Sequence, residues 1–437
     1  MRTKFFILLA ILSVSLYAKE ASLVTLCKQG IQNNPKIRSF SHRVSASHSA
    51  YDQSIDQYKP HLDMSGQYGT QNYYYASSAG KTHYQGMNYN YQFTLKQPLF
   101  RAKLIEAISD AKAREQLTRL QEKDEKAKLM TQILQTSVEL IRQKKTIDIL
   151  KKKTELLEKA YGNILEKYRV KLVSSAKKFQ AQAKLEQSRS DLIRSKQDYE
   201  YNLYNLRLLT KYKDVEKYIA SLSFNIPAVS KAFKKANYWK IKQNIGHNTR
   251  IMLDRQSVRI AKIQIGLRNS DRAPNVDAVL SYGDSGGTID YVTRRDDSRA
   301  MIQLSFPLYQ GGYVSDRVTE AKYLYLSAQE ELDNTRLNIK ISMEKALQNI
   351  KGGIASIDAQ RSAVEASKKY FEGAVDSYKN GMSSLTDTYL AESDYYDSRL
   401  RLVNSEGDVI SSLVEMYYYG GKVNYKQIQK LQHKYFK

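Results

Sequence analysis

The sequence has few of the residues that interrupt regular structure or cross-link a chain. Its 437 residues include 6 prolines, 20 glycines and a single cysteine, Cys27. One cysteine excludes an intramolecular disulfide, and Leu26 before it is not the small residue that a lipoprotein signal requires. The scarcity of proline and glycine favours long uninterrupted elements. We interpret Cys27 as an ordinary small apolar residue on the first helix.

No long apolar segment follows the N-terminus. Residues 1–18 pair a basic start, Arg2 and Lys4, with a short apolar stretch from Phe5 to Val14 and a small residue, Ala18. This arrangement is typical of a secretory signal peptide, and the stretch is too short for a comfortable membrane helix. We therefore predict export from the cytosol.

Motifs for catalysis are also missing. The 6 histidines are scattered, and no phosphate-binding or dinucleotide-binding motif occurs. "GDSGG" (Gly283–Gly287) matches a serine-protease string, but no second motif indicates a partner histidine, so we interpret it as a turn. We predict no enzyme activity, no cofactor and no metal site.

The formal net charge of +24 does not by itself indicate nucleic-acid binding. Lysine and arginine alternate with acidic residues and glutamine along the chain, which favours a solvated basic surface. A positively lined pore that favours anions remains an alternative.

The mature chain contains a tandem repeat. "NNPKI" (Asn33–Ile37) corresponds to "HNTRI" (His247–Ile251), and Tyr168 corresponds to Tyr378. We assign repeats to residues 19–225 and 226–419, and a basic C-terminal tail to residues 420–437.

Each repeat is predicted as a helix, two strands and two long helices. The long helices have apolar residues at three- and four-residue spacing, and one of roughly 66 residues would be roughly 100 Å long. The predicted helices are Leu23–Tyr58, Lys103–Tyr168, Ala176–Tyr212, Ser230–Asn269, Tyr313–Tyr378 and Leu385–Tyr419. The predicted strands are Leu62–Tyr74, Met87–Leu99, Val276–Gly283 and Ala300–Leu308.

All four strands alternate apolar and polar residues. Such strands form either a sheet on a core or a barrel wall with lipid outside and water inside. Four strands are too few to enclose an aqueous lumen, so several chains must pool them. Tyrosines near the strand ends, including Tyr89, Tyr282 and Tyr291, fit an aromatic girdle. The polar segments Ala76–Gly86 and Asp284–Ser298 are predicted as extracellular loops.

The signal peptide, the duplicated element order, "NNP" near the start and "FPLYQGG" (Phe306–Gly312) before a long helix resemble the TolC family of outer-membrane efflux proteins. The resemblance implies a mainly α fold with β: a homotrimer whose helices form a coiled-coil tunnel across the periplasm. Each chain would give four strands to a twelve-stranded barrel in outer-membrane lipid. It also implies passive export with a periplasmic adaptor and an inner-membrane pump.

The resemblance further places the periplasmic tips at the two helix–helix turns. At the second turn Tyr378 and Asp387 match the family's gate, Leu390 replaces its second acid, and Asp394 is a substitute one turn further. From the residues alone, Asp387 could instead cap the returning helix. The adaptor-contact candidates are Val170, Lys171, Leu172, Asn380, Gly381 and Met382.

The first turn departs from the family pattern. Lys171 occupies the expected glycine position and Lys177 the usual acid position. The predicted function is an export duct of the outer membrane. The alternative is a secreted or surface coiled-coil protein, such as an adhesin, with a basic binding surface and no barrel.

Overall fold

The computed structural model describes residues 22–78, 80–235, 244–288 and 294–436, so the predicted signal peptide and Tyr291 lie outside the described residues. Helices and one antiparallel sheet alternate along the chain. The α-helices are α1 (Leu23–Asn33), α2 (Pro35–Asp56), α3 (Ala102–Arg169), α4 (Ser175–Thr210), α5 (Val215–Ser221), α6 (Ile226–Lys235), α7 (Thr249–Asn269), α8 (Tyr313–Lys379), α9 (Leu385–Tyr419) and α10 (Tyr425–Tyr435). The strands are β1 (His61–Ser77), β2 (Gly80–Arg101), β3 (Asn275–Gly287) and β4 (Arg294–Ser305).

The two longest helices, α3 and α8, span 68 and 67 residues. They are rich in Ala, Leu, Lys, Glu and Gln, which have high helix propensity, and their ends agree with the sequence prediction to within one residue. Helix α3 packs against α4, α8 packs against α9, and α9 also lies along α3. Two long helical hairpins therefore run side by side. No helix among the described residues is both long enough and apolar enough to cross a bilayer.

The first predicted helix of each half is interrupted in the structure. Asn34 is extended and its side chain accepts hydrogen bonds from the N–H groups of Lys36 and Ile37, while Pro35 starts α2. Proline lacks the N–H that a continuous helix would need there, so Leu23–Tyr58 was wrong as a single helix. In the second half the predicted helix Ser230–Asn269 is interrupted at Asn248, which is extended and whose side chain accepts a hydrogen bond from Arg250 N–H at the start of α7.

The main core lies around the middle of the long helices. It joins α1, α3, α4, α8, α9 and the shorter helices through fully buried aliphatic side chains. These include Leu26, Ile133, Leu140, Leu203, Leu206, Met343, Ile350 and Leu413. Cys27 is buried among them, and burial raises the pKa of its thiol to about 12. The interpretation of Cys27 as a small apolar residue on the first helix agrees with this position.

Residues 420–437, which were predicted only as a basic tail, contain helix α10. Its apolar residues Ile428, Leu431 and Tyr435 share one buried face that packs on α1 and α6. Asn225 N–H donates to the Tyr435 carbonyl at 2.9 Å, and the Gln432 side chain accepts from Leu23 N–H at 2.9 Å. Helix α10 thus joins α1 to the segment around Asn225 between the two halves of the chain.

The sheet order is β1-β2-β3-β4, and every neighbouring pair is antiparallel. Strands β1 and β2 have 17 and 22 residues and remain paired from His61–Lys96 to Ser77–Gly80. The predicted loop Ala76–Gly86 is therefore mostly strand. Similarly, β3 continues through Gly283–Gly287, so the "GDSGG" string is strand and not a turn. Pairing partners extend these polar segments beyond what their own composition favours.

The prolines at the junctions occupy different places. Pro98 lies inside β2, where the register shifts before Phe100, and β2 continues to Arg101. In the second half β4 ends at Ser305, two residues before Pro307. Proline donates no ladder hydrogen bond, so it is accommodated at an irregularity or beyond a strand end.

Candidate functional site

The two helix–helix turns share one backbone geometry. After α3 the chain passes through Val170 to Lys171, with φ of 59°; after α8 it passes through Asn380 to Gly381, with φ of 73°. Lys171 N–H donates to the Tyr168 carbonyl at 3.0 Å, and Gly381 N–H donates to the Tyr378 carbonyl at 3.0 Å. Lys171 therefore occupies the backbone position that glycine occupies in the second turn. A left-handed residue at this place is the common way to end a helix.

We expect Lys171→Gly to raise the thermal midpoint of the protein and Gly381→Lys to lower it. A side chain in the left-handed region costs about 1 kcal/mol relative to glycine. The paired substitutions interchange the two residues at matching backbone positions, so thermal unfolding in detergent compares them directly. Equal or reversed shifts would show that the left-handed backbone is not the cause.

The returning helices begin with serine caps. Ser384 Oγ accepts from Asp387 N–H at 3.2 Å, and the Asp387 carboxylate accepts from Ser384 N–H at 3.2 Å. In the first turn Ser174 Oγ accepts from Lys177 N–H at 3.4 Å, but Lys177 cannot return a hydrogen bond to the cap. The structure thus gives Asp387 the capping contacts that the sequence left as an alternative to a gate.

The hydrogen bonds from Ser384, with a smaller effect of the positive charge of Lys177, lower the pKa of Asp387 below its usual value. Because this pKa is depressed in the folded state, the capping interaction is present at neutral pH. It is lost as the pH falls through the lowered pKa, below the ordinary carboxyl range near ~4. Asp387 is therefore charged at neutral pH, and its side chain remains exposed.

The hydrogen bonds of the Asp387 side chain go to Ser383 and Ser384 and not to the other predicted gate residues. Tyr378 is partly exposed at the end of α8, and Asp394 is exposed seven residues further along α9, about 10 Å away along the helix axis. The six predicted adaptor-contact residues are all exposed and flank the two left-handed positions. They are Val170, Lys171, Leu172, Asn380, Gly381 and Met382.

The sheet separates apolar from polar residues across its whole width. One face carries an apolar band that continues from β1 to β4 through paired positions: Leu62 with Leu95, Leu95 with Leu280, and Leu280 with Ala300. Other members of this apolar face are Met64, Phe93, Val276, Ala278, Tyr282, Ile302 and Leu304. Most of these side chains are exposed in the single chain.

The opposite face of the sheet is polar. It carries Asp63, Ser65, Gln67, Asn90, Gln92, Thr94, Ser281, Gln303 and Arg299. The order of strands leaves one side of β1 and one side of β4 without a partner among the described residues. An exposed apolar face opposite a polar face is typical of a barrel wall with lipid on one side and water on the other, and the open edges leave backbone groups available for pairing.

An ion-pair cluster, which sequence reasoning missed, links the sheet to the helices. Asp277 is buried and accepts hydrogen bonds from the Arg101 guanidinium at 2.8 and 2.5 Å, while Lys96 lies 3.3 Å away. Arg101 is the last residue of β2 and precedes α3. The cluster therefore fixes the direction in which the long helix leaves the sheet. Alternation places Asp277 on the polar face, but nothing in the sequence identifies its partners.

The fold defines a class of protein: an amphipathic four-stranded sheet with an exposed apolar face, carried on long paired helices. A family model described as "Outer membrane efflux protein" matches residues 26–210 and 241–422. This chain belongs to the outer membrane efflux protein family, whose place is the bacterial outer membrane.

Individual relatives are more distant. The chain is 24% identical over 200 residues to outer membrane protein TolC of Salmonella enteritidis. This alignment covers 44% of this chain and 41% of TolC. It is 24% identical over 189 residues to the proteases secretion protein PrtF of Dickeya chrysanthemi, covering 43% of this chain and 41% of PrtF. The matched region thus spans about two fifths of these relatives.

Solved structures share the fold over nearly the whole chain. The CmeC outer membrane channel of Campylobacter jejuni aligns with a TM-score of 0.76 at 16% identity, covering 94% of this chain and 89% of CmeC. Outer membrane protein VceC of Vibrio cholerae aligns with a TM-score of 0.73 at 16% identity, covering 91% of this chain and 96% of VceC. The mainly helical fold with one small antiparallel sheet agrees with the fold class expected from the sequence.

Proposed function

We propose that the protein is the outer-membrane duct of an export system and acts as a homotrimer. The observation that carries this proposal is the sheet: four strands with one apolar face, one polar face and two open edges. Four strands from each of three chains give twelve, enough for a barrel with an aqueous interior. The apolar band then contacts lipid, and the polar face lines the passage.

The long helices continue the wall into the periplasm. In this arrangement α3, α4, α8 and α9 of three copies surround a tunnel, and the two turns form its far end. A periplasmic adaptor and an inner-membrane pump meet the duct at these turns, and the pump supplies the energy. Membership of the outer membrane efflux protein family and the names of similar proteins, an outer membrane channel and a proteases secretion protein, support export over the secreted adhesin.

The assembly is tested by extracting outer membranes with mild detergent and comparing boiled with unboiled protein on a gel. The proposal expects a heat-sensitive trimer in the outer-membrane fraction that conducts ions in planar bilayers. A soluble elongated dimer without conductance would favour the coiled-coil alternative.

The entrance is tested by Asp387→Ala. Three copies of Asp387 near a threefold axis repel one another and attract cations, so the substitution is expected to raise single-channel conductance or relieve block by multivalent cations. The control is Ser384→Ala, which removes the cap at a cost of about 1 kcal/mol but keeps the charge. The same electrical change in both variants, or none in Asp387→Ala, would leave Asp387 as a helix cap only.

A further inference from the structure

The two turns have opposite charge. Between Glu166 and Glu186 every charged residue is a cation, and between Lys379 and Arg399 every charged residue is an anion. We call residues 166–186 the basic turn and residues 379–399 the acidic turn. The cations are Lys167, Arg169, Lys171, Lys177, Lys178 and Lys184. The anions are Asp387, Glu392, Asp394 and Asp397.

Three cations of the basic turn stand where local structure disfavours them. Lys171 has a left-handed backbone, with φ of 59°. Lys177 and Lys178 lie in the first turn of α4, beside the partial positive charge of a helix N-terminus. The acidic turn has the favourable arrangement at the matching place, since Asp387 completes a capping box. The helix and its cap therefore do not account for the positive charge of the basic turn.

Most cations of the basic turn have no ion-pair partner among the described residues, although the charge of Lys177 acts on Asp387 of the acidic turn. Within the part of the chain that the structure describes, Lys167, Arg169, Lys171, Lys177 and Lys178 form no salt bridge within 4.0 Å. Along the shaft of α3 several cations are paired with acids one helical turn away, such as Arg114 with Asp110 at 2.7 Å and Lys126 with Glu122 at 2.8 Å. The basic turn therefore carries exposed positive charge of one sign at the end of the hairpin.

An apolar patch lies among these cations. Val170, Leu172 and Phe179 are 65%, 73% and 59% exposed. The Lys178 ammonium lies 5.0 Å from the centre of the Tyr168 ring and 4.8 Å from that of Phe179, so it sits on the patch itself. Apolar side chains surrounded by charged ones are the usual composition of a protein–protein interface. The patch and its charge together describe a docking surface for a partner with exposed apolar and acidic residues.

We propose that the basic turn is the docking surface for the adaptor, and that the contacting end of the adaptor carries apolar and acidic side chains. The adjacent acidic turn repels the same end and thereby fixes which turn it occupies. The inference rests on the proposed function, in which the turns face the adaptor. It adds the chemistry of that adaptor: acidic residues at the end that meets the basic turn.

The test uses the full-length trimer in lipid nanodiscs and three synthetic two-helix hairpins as probes. The hairpins are identical, with leucines at the connecting end, except that this end carries Glu, Ser or Lys. Surface plasmon resonance is expected to show at least ~10-fold tighter binding of the Glu hairpin than of the Lys hairpin. Because the contact is solvent-exposed, the difference should shrink at high salt.

Charge-reversal variants test whether the preference for the Glu hairpin depends on the basic turn. Reversing the charge in Lys171→Glu/Lys177→Glu/Lys178→Glu is expected to reverse the order of the Glu and Lys hairpins. The control Lys151→Glu/Lys152→Glu/Lys196→Glu changes the same number of exposed lysines on the shafts and should keep the wild-type order. Equal binding of all three hairpins, or no binding, would overturn the proposal, and so would the same reversal in the control.

A single substitution separates docking from stability. Lys177→Glu gives the basic turn the Ser-x-x-acid pattern of a capping box, so it is expected to raise the thermal midpoint while weakening the Glu hairpin several-fold. A variant that loses both stability and binding would indicate a structural role and contradict the proposal. Bilayer conductance of the wild-type preparation reports on the duct itself, so failure of the proposed function is recognised independently.

Discussion

Phe93→Arg is expected to abolish the heat-sensitive trimer in the outer membrane, whereas Thr94→Arg leaves it in place. Phe93 lies on the apolar face, paired with Met64 on β1 and Tyr282 on β3, and Thr94 lies on the polar face one residue later. Arginine on the lipid face of a barrel costs about 2–4 kcal/mol near the bilayer midplane. Each of three copies would carry this cost.

The measurement is the amount of trimer on unboiled gels of outer-membrane fractions, with expression of the three proteins matched. The two substitutions add the same side chain to neighbouring residues of one strand, so composition and strand propensity are controlled. Loss of the trimer in both variants, or in neither, would contradict the assignment of the apolar face to lipid.

The second large effect is expected at the C-terminal helix. Leu431 is 1% exposed and packs with Ile428 against the core, while the neighbouring Lys430 is exposed. Leu431→Asp buries an unpaired carboxylate, which costs several kcal/mol and places it among the most damaging single substitutions, at roughly 4 kcal/mol or more. Lys430→Asp introduces the same side chain at the surface, where effects are within about 0.5 kcal/mol.

Protease resistance of the extracted protein and recovery of the trimer measure this difference. The structural reason is that α10 joins distant parts of the chain: Phe436 pairs with Phe224, and Gln432 contacts Leu23. We expect Leu431→Asp to be degraded and Lys430→Asp to resemble the wild type. A stable Leu431→Asp trimer would show that α10 is dispensable for the fold.

The long helices could be predicted from the sequence because their signal is local. Residues with high helix propensity recur without proline and with few glycines, and the predicted range Tyr313–Tyr378 differs from α8 by a single residue. Helix α10 was missed because it has only 11 residues and a basic composition. Its apolar residues at 428, 431 and 435, behind the cap Asn424, are a helical pattern that could have identified it.

The positions of the four strands were predicted correctly, but the strands are longer than predicted. Their alternation is local, so the two faces were predicted correctly, including Leu62, Phe93, Leu280 and Ile302 on the apolar side. Their length depends on pairing with another strand, and the polar, Tyr-rich stretch between residues 70 and 86 carries no signal for continued pairing. The ion pair of Asp277 with Arg101 could not be predicted either, because the two residues are 176 positions apart in the sequence and meet only through strand pairing.

At the two turns the sequence predicted the backbone positions but not the role of Asp387. Matching the two halves placed Lys171 opposite Gly381, and both have left-handed backbones. The sequence could not decide between a gate and a cap for Asp387, because both use a carboxylate at the start of a helix. The structure shows the capping contacts, and the gate stays a prediction for the assembled trimer.

The central claim is that one sheet is completed by other copies of the chain. It is tested most directly by cysteines placed in series along the open edges, around Ser65 on β1 and Gln303 on β4, with disulfide formation followed on non-reducing gels. Cys27 is fully buried and serves as an unreactive background. The account predicts covalent dimers and trimers that require one cysteine on each edge. Linkage confined to single chains would show that each sheet closes on itself and would contradict the shared barrel.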